Sequence, residues 1–587
     1  MEIVSQSTTL PRSPPSSDPS SPTLRPKLTT LGIDFTRAFA DLALAEDPDP
    51  LPAPARSFAN ENDSECCGGG CCQTGSSPAV STPGTPGGPP SALASVVFPD
   101  GNRAFDSLAL PLLKISRSAR LLGVTPLPEK TVSIVSDEIT PSSSATHTSS
   151  NLSPPSYLKP HPPYDVHSVP IITARPLTAL DAIKRTYHFD LDVSSYPDEI
   201  AGVDFRVGGA VGVCPRNDQT LVDEILERLG VPAERRDAPV KLCTTGGRWP
   251  TIWGEDEPRT LTTTLRDILS WTVDVNNGVL SKNLIRVLAE YASDYSERMI
   301  LSWLCSKQGQ STFCNLRSAP YPPTLLQLLL AFPSSLPPVD HLVCVLPTLM
   351  PRFYSLSSDP VDNFVSPDID SSSSAAPIRR IEIAVTVHEA PEDWRAEPRM
   401  RAGNCTAFLE SLAHAKMRGE KGISIPVFRG LQANPLAKEF RADGPMLLIG
   451  AGVGVAPFRG FVQRRLKSAN CKNKVWVLQG CRDSLVDELY AGEWGVDGDD
   501  VRKVVESRRG TKKYVQDEVV MQADLVWSVI SHPDGRIFVC GSSKGMGEGV
   551  EAALVNVAME KGGMTKDEAA AFWKEKSRTW QYVTETW

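Results

Sequence analysis

Beyond Pro445 the chain reads Met446-Leu-Leu-Ile and then Gly450-Ala-Gly452-Val-Gly454-Val-Ala-Pro457-Phe-Arg-Gly460-Phe, an apolar run feeding a glycine-rich turn that opens a helix. Small residues in that context let backbone N–H groups close on a phosphate at the positive end of the helix dipole. Two further apolar runs, Val475-Trp-Val-Leu and Arg536-Ile-Phe-Val-Cys, continue the alternation of strand and helix. Such alternation predicts a parallel sheet with right-handed crossovers, here over residues 441–587. Helix–sheet packing alone would explain the glycines but not the Ala-Pro-Phe-Arg-Gly-Phe continuation.

Between residues 166 and 440 the text is strand-rich. Arg185-Thr-Tyr-His-Phe-Asp-Leu-Asp-Val alternates with period two and predicts a half-buried strand. Val207 to Val213 predicts another, followed by a helix over Leu221–Leu229 that ends on Gly230. Leu265, Ile268, Leu269, Leu284, Ile285, Val287, Leu288 and Leu325 to Leu330 recur at helical spacing. They are read as a helical subdomain inserted at about 215–335 in an antiparallel barrel whose strands resume from Met350. The fold class expected is therefore an antiparallel β-barrel with a helical insertion, then a parallel α/β domain.

Residues 1–165 differ in kind, being dominated by Ser, Pro, Thr and Gly, as in Ser81-Thr-Pro-Gly-Thr-Pro-Gly-Gly-Pro-Pro. Such sequence buries too little apolar surface to offset ordering entropy and is expected to be a mostly disordered arm. Ala92 to Val135 holds Phe98, Leu108, Leu110, Leu112, Leu113, Ile115 and Leu122, so a short ordered piece or a partner-binding motif stays open there. Cys66, Cys67, Cys71 and Cys72 flank three glycines, and two readings stay open: a zinc or iron–sulfur site, or an exposed or palmitoylated tether. Most of the 13 cysteines otherwise sit singly in apolar segments, such as Val343-Cys-Val and Phe538-Val-Cys, which fits a reducing compartment. A net charge of -9 with no basic stripe argues against nucleic acid as a partner. No apolar run approaches the ~20 residues of a membrane span, and Met1-Glu-Ile-Val shows no targeting pattern. The cytoplasm is the expected location.

Three further stretches carry chemistry. Arg352-Phe-Tyr354-Ser355 offers a guanidinium for a pyrophosphate, an aromatic for a flavin face and a hydroxyl for a flavin nitrogen, against the alternative of a surface Arg beside a packed Tyr. Arg401-Ala-Gly403-Asn404-Cys405-Thr406 opens a helix with small residues, which suits a dinucleotide pyrophosphate or else an ordinary cap at Thr406. Ser507, Arg508, Lys512, Tyr514 and Gln516 follow the strand end Gln479-Gly-Cys481 and suit a 2′-phosphate and an adenine, against a solvated basic loop.

In this order, the motifs from about Ile171 to Trp587 resemble the FAD/NADPH reductase half of the diflavin reductases, the family of NADPH-haemoprotein reductase, methionine synthase reductase and the sulfite reductase flavoprotein. The resemblance implies FAD bound by Arg352, Tyr354 and Ser355, with Gly403, Asn404, Cys405 and Thr406 on the pyrophosphate and Val385 on the strand between. It implies NADPH in the cradle of Gly450, Gly452, Gly454 and Pro457. The 2′-phosphate and adenosine contacts would be Ser507, Arg508, Lys512, Tyr514 and Gln516, and Arg175 would reach the NADPH phosphates. Ser355, Cys540 and Glu585 would surround the hydride path, and Trp587 would cover the flavin. Glu585 replaces a usual Asp, and Val453 and Ser542 replace a common Thr and Asp, changes that imply slower hydride transfer. Gly208-Gly209 replaces a barrel Gly-Asp pair and is expected to be tolerated. No flavodoxin-like FMN domain is legible in residues 1–165, so electrons are expected to pass to a separate flavodoxin-like, haem or iron–sulfur protein. The rival reading is a non-catalytic scaffold, and a further one makes the Cys66–Cys72 cluster the electron exit.

Overall fold

The strand Thr186–Asp192 is buried along nearly its whole length, although its alternating sequence predicts burial of one face only. The reason lies in what covers each side. Tyr187, Phe189 and Leu191 point into a barrel core with Val169, Ile171, Val211, Val213, Ile381, Ile383, Ile425 and Val427. His188 and Asp190, on the other side, lie beneath Tyr490 of the following domain. The polar half of the alternation therefore faces another domain instead of water.

The computed structural model describes residues 99–587, leaving out several stretches of which the longest are 137–153, 159–164, 197–204, 246–257, 366–377, 430–435 and 437–442. The Cys66, Cys67, Cys71 and Cys72 cluster and most of the Ser/Pro-rich arm lie outside the described residues. Among the described residues no helix is long and apolar enough to cross a membrane.

The barrel is formed by β2 (His167–Pro176), β3 (Thr186–Asp192), β4 (Ala210–Val213), β7 (Arg352–Ser355), β9 (Ile378–Thr386) and β12 (Ser424–Arg429), with β8 (Phe364–Val365) at its edge. Its strands run in the order β7-β4-β12-β2-β3-β9-β8. A bridge between Leu356 and Ile383 closes β7 onto β9, so the sheet has no open edge there. The hairpin β10 (Glu389–Glu392) and β11 (Arg399–Ala402) leads into the helix Asn404–Met417, whose Phe408, Leu409, Leu412 and Ala413 cap the barrel core.

The helical insertion runs between β4 and β7, from Gln219 to Val345, and holds its own core of Leu226, Ile268, Leu284, Leu288, Leu325 and Phe332. A three-stranded antiparallel sheet joins it: β1 (Val132–Ser136), β5 (Val240–Thr244) and β6 (Arg259–Thr263). Part of the N-terminal segment thus belongs to the globular body. Phe105 sits edge-on to Phe332 at 5.6 Å, and Leu108, Ile115 and Val132 are buried with it. Within the stretch Ala92 to Val135, the described residues Phe105, Leu108, Ile115 and Val132 are ordered and packed into that core. Burial of such side chains contributes about 1.5–3 kcal/mol each, enough to hold a short helix of four residues, Arg103–Asp106, that could not stand alone.

The last domain is a five-stranded, wholly parallel sheet in the order β15-β14-β13-β16-β17: β13 (Met446–Ala451), β14 (Val475–Cys481), β15 (Arg502–Glu506), β16 (Arg536–Gly541) and β17 (Tyr582–Thr586). Helices flank it, and Phe458 and Phe461 of the helix Ala456–Lys467 pack with Phe538 beneath the sheet.

Candidate active site

On the nucleotide side, β13 ends in the turn Gly452–Val455, which runs directly into the helix Ala456–Lys467 with Pro457 in its first turn. Gly452 has φ +53 and open space where a Cβ would be. A Cβ on Gly454 would stand 2.1 Å from the Cys540 carbonyl, so only glycine lets β16 and the loop approach this closely. The strand, glycine turn and helix expected from the spacing thus follow one another, with Gly450 near the end of β13 in register with Cys540.

The second nucleotide stretch follows β15. Ser507 donates both its N–H and its hydroxyl to the Cys481 carbonyl, at 3.0 and 3.3 Å. Arg508 is exposed and donates to the Tyr514 hydroxyl at 2.9 Å, its guanidinium 5.8 Å from that ring's centre. Lys512 has a positive φ of +52, shared among the described non-glycine residues with Tyr490 and Trp580, a left-handed conformation that its surroundings must hold. Tyr514 caps the helix Val515–Met521, and Gln516 lies in its first turn against Gly549. Arg175 stands apart from this cluster: on β2 it is ion-paired with Glu493 at the junction of barrel and parallel sheet.

On the flavin side, β7 carries Arg352, Tyr354 and Ser355 opposite β4. Arg352 donates to the carbonyls of Met350 and Pro351, and Tyr354 donates to the Cys405 sulfur at 3.3 Å. Burial pushes the Cys405 thiol up to about 11 and the Tyr354 hydroxyl well above its ordinary value. Gly403, and not Thr406, is the N-cap of the helix Asn404–Met417; Thr406 accepts from the His388 N–H and donates to the Gly403 carbonyl. The amides of Asn404, Cys405 and Thr406 have no acceptor among the described residues, as at any helix start without a side-chain cap. Three free amides beside a guanidinium fit a pyrophosphate. Val385 pairs with Tyr187 and its side chain is buried in the barrel core.

The two sides meet at the chain end. Strand β17 puts Glu585 in register with Cys540. The Glu585 carboxylate accepts from the Ser355 hydroxyl at 3.5 Å and from the Cys540 thiol at 3.9 Å. Burial, with that carboxylate beside it, holds the Cys540 thiol neutral far above its ordinary range. Trp587 is tied by its N–H to the Gly541 carbonyl and packs against the domain core. Two residues from distant stretches, Ser355 and Cys540, thus converge on the carboxylate of a third, Glu585.

Sequence reasoning missed the contacts that join the elements. Asn404 donates to Asp274 at 2.8 Å and accepts from Asn276 at 2.7 Å, tying the helix start to the insertion. Arg459 donates to Glu382 at 2.6 Å and to the Ser357 carbonyl, and Arg464 grips Asp359 through two nitrogens. His188, Asp190 and Glu382 place three ligand-type atoms within 4.8 Å of one another. Arg380 and Arg459 already balance that acidic charge, which makes the cluster an ion-pair network across the domain junction. Nothing local in the sequence marks these pairs.

A barrel with an R-x-Y-S strand, a helix start with free amides and a glycine cradle on a parallel sheet define a flavin and nicotinamide dinucleotide oxidoreductase. The FAD binding domain family matches residues 160–366, and the oxidoreductase NAD-binding domain family matches residues 448–552. Two uncharacterized FAD-binding proteins of Schizosaccharomyces pombe are 43% and 42% identical, over 83% and 82% of this chain and 88% and 82% of their own lengths. Methionine synthase reductase of Rattus norvegicus is 28% identical over 72% of this chain, and NADPH–cytochrome P450 reductase of Cavia porcellus 27% over 74%. The chain spans 61% and 60% of the length of those two reductases. The protein belongs to the family of these FAD-binding proteins, built as the FAD/NADP half of the diflavin reductases, and its cofactors are FAD and NADPH.

Proposed function

We propose that the protein takes electrons from NADPH onto FAD and passes them to a separate acceptor protein of the flavodoxin-like, haem or iron–sulfur kind. The observation that carries this reading is the convergence of Ser355, Cys540 and Glu585 where the barrel strand β7 meets the ends of β16 and β17. FAD, when bound, accepts a hydride from the nicotinamide and releases electrons singly. The chain's own part is to align and to manage charge. Glu585 accepts the Ser355 hydroxyl, and its negative charge favours a nicotinamide ring that turns cationic as hydride leaves. The neutral Cys540 thiol adds a compact, uncharged wall beside it. Arg352 and the amides of Asn404 to Thr406 would hold the FAD phosphates. Arg508, Lys512 and Tyr514 would hold the adenosine 2′-phosphate end of NADPH, the feature that would separate NADPH from NADH.

The test is an anaerobic absorbance spectrum of the purified chain before and after NADPH, and again with NADH. Oxidised-flavin bands that bleach much faster with NADPH support the reading, and turnover with flavodoxin-like, haem or iron–sulfur acceptors then sorts the partner class. A chain that holds FAD but is not bleached by either nucleotide would favour the scaffold reading instead.

A further inference from the structure

Arg216 lies just past β4, in Cys214-Pro-Arg216-Asn217, and is half-buried. Its guanidinium rests on two aromatic rings, 5.8 Å from the centre of Trp271 and 6.0 Å from that of Phe408. Among the described residues it has no hydrogen-bond or ion-pair partner. Asp218 and Asp267 act on it only at a distance; Asp218 is engaged instead as the cap of the helix Gln219–Arg228. A guanidinium with five donors, drawn out of water against aromatic faces, is costly to leave unmatched, and ring contacts recover only part of that cost. Such a group asks for an anion.

Its position says which one. Phe408 is four residues past Asn404, one turn along the same face of the helix whose first three amides are free. Val213, three residues before Arg216, pairs directly with Arg352. Arg216 and Arg352 thus emerge from paired strands toward the same helix start, where Cys405 lies close to both Arg352 and Cys214.

We infer that Arg216 is a second phosphate-binding residue of the FAD site, a guanidinium that works with Arg352 on the pyrophosphate. This rests on the proposed assignment of Gly403 to Thr406 as the pyrophosphate loop. Among the described residues Arg216 has no anionic match, and bound FAD would supply acceptors through charge-assisted hydrogen bonds.

The experiment is an FAD titration of the flavin-stripped full-length chain, wild type against Arg216→Met, Arg216→Lys and Arg352→Ala, at low and high salt. Arg216→Met is expected to raise the FAD Kd roughly tenfold or more and to flatten its salt dependence, because one charged contact is gone. Arg216→Lys keeps the charge without the fork and should recover part of the loss. Thermal melts give a second readout that does not depend on turnover: flavin-free Arg216→Met should melt no lower than wild type, since a half-buried cation with no match among the described residues has been removed, while FAD should raise its Tm less. An FAD Kd within twofold of wild type for Arg216→Met, or an unchanged salt dependence, overturns the inference. If Arg352→Ala also leaves FAD binding intact, the assignment of the pyrophosphate loop itself fails, so the two failures are told apart.

Discussion

The nucleotide side and the flavin side of this protein are built by different means. The proposed NADPH cradle comes from two short stretches, Gly450 to Pro457 and Ser507 to Gln516, each carrying its groups within about ten consecutive positions. The proposed flavin side draws on the inferred Arg216, on Asp274 and Asn276, on Arg352 to Ser355 and on Gly403 to Thr406, which the chain brings together from both edges of the helical insertion. A site made of contiguous residues is set by local backbone shape. A site made of distant residues depends on the packing of every element between them.

The largest expected effect tests the local side. Gly454→Ala forces a Cβ against the Cys540 carbonyl, and neither backbone can yield without parting β13 from β16. Flavin reduction by NADPH should fall about a hundredfold or more, because displacements near 1 Å have that effect on hydride geometry. FAD content, read from the absorbance of the purified variant, should stay near that of the wild type. A variant that also loses FAD would break the comparison and make the two sides one cooperative unit.

Next comes the junction that joins them. Arg459→Met strips the buried Glu382 of one of its two guanidinium partners, leaving Arg380 alone to balance that carboxylate between barrel and parallel sheet. Breaking a buried pair from one end costs about 3–5 kcal/mol, measurable as a lower urea midpoint. The double variant Arg459→Met with Glu382→Gln should recover much of that loss. If the single variant unfolds like wild type, the network contributes little and the domains are held by Phe458, Phe461 and their neighbours instead.

A smaller effect probes the exposed cations. Arg508→Ala removes a surface guanidinium aimed alongside Tyr514. The KM for NADPH should rise about tenfold while that for NADH stays constant, the signature of a lost 2′-phosphate contact. Equal changes for both nucleotides would assign Arg508 to another part of the cofactor.

These contrasts also explain what the amino-acid sequence reveals. Glycine spacing after an apolar run, the R-x-Y-S stretch and the order of strands and helices are legible because each depends on neighbours in the chain. Phe105 and Val132 looked like part of a Ser/Pro-rich arm because their partners, Phe332 and Val240 to Thr244, lie more than a hundred residues away. His188 and Asp190 looked like the solvated half of a strand because Tyr490 covers them from another domain. Arg175 has the position expected of it in the barrel, but its guanidinium is held by Glu493, an acid that no local pattern would have paired with it.

The smallest effect concerns two of the buried thiols, Cys405 on the flavin side and Cys540 on the nucleotide side. Burial raises both, but Cys540 also faces the Glu585 carboxylate, whereas Cys405 accepts from Tyr354 and feels Arg352, contacts that lower it again. Cys405 should therefore ionise first. Its folded-state value of about 11 lies above the ordinary 9.0, so the stability gained from burying the neutral thiol is complete below pH 9 and is lost as pH rises toward 11. Urea midpoints of wild type and Cys405→Ala should keep a constant gap from pH 7 to pH 8.5 and close it by about 1.4 kcal/mol per unit above pH 9. Over the same range the rate of NADPH-driven reduction should show no ionisation that Cys540→Ala removes. An ionisation near pH 9 that vanishes in that variant would mean that Cys540, beside the carboxylate, titrates more easily than Cys405, and the contrast between a contiguous and a convergent site would not extend to their thiols.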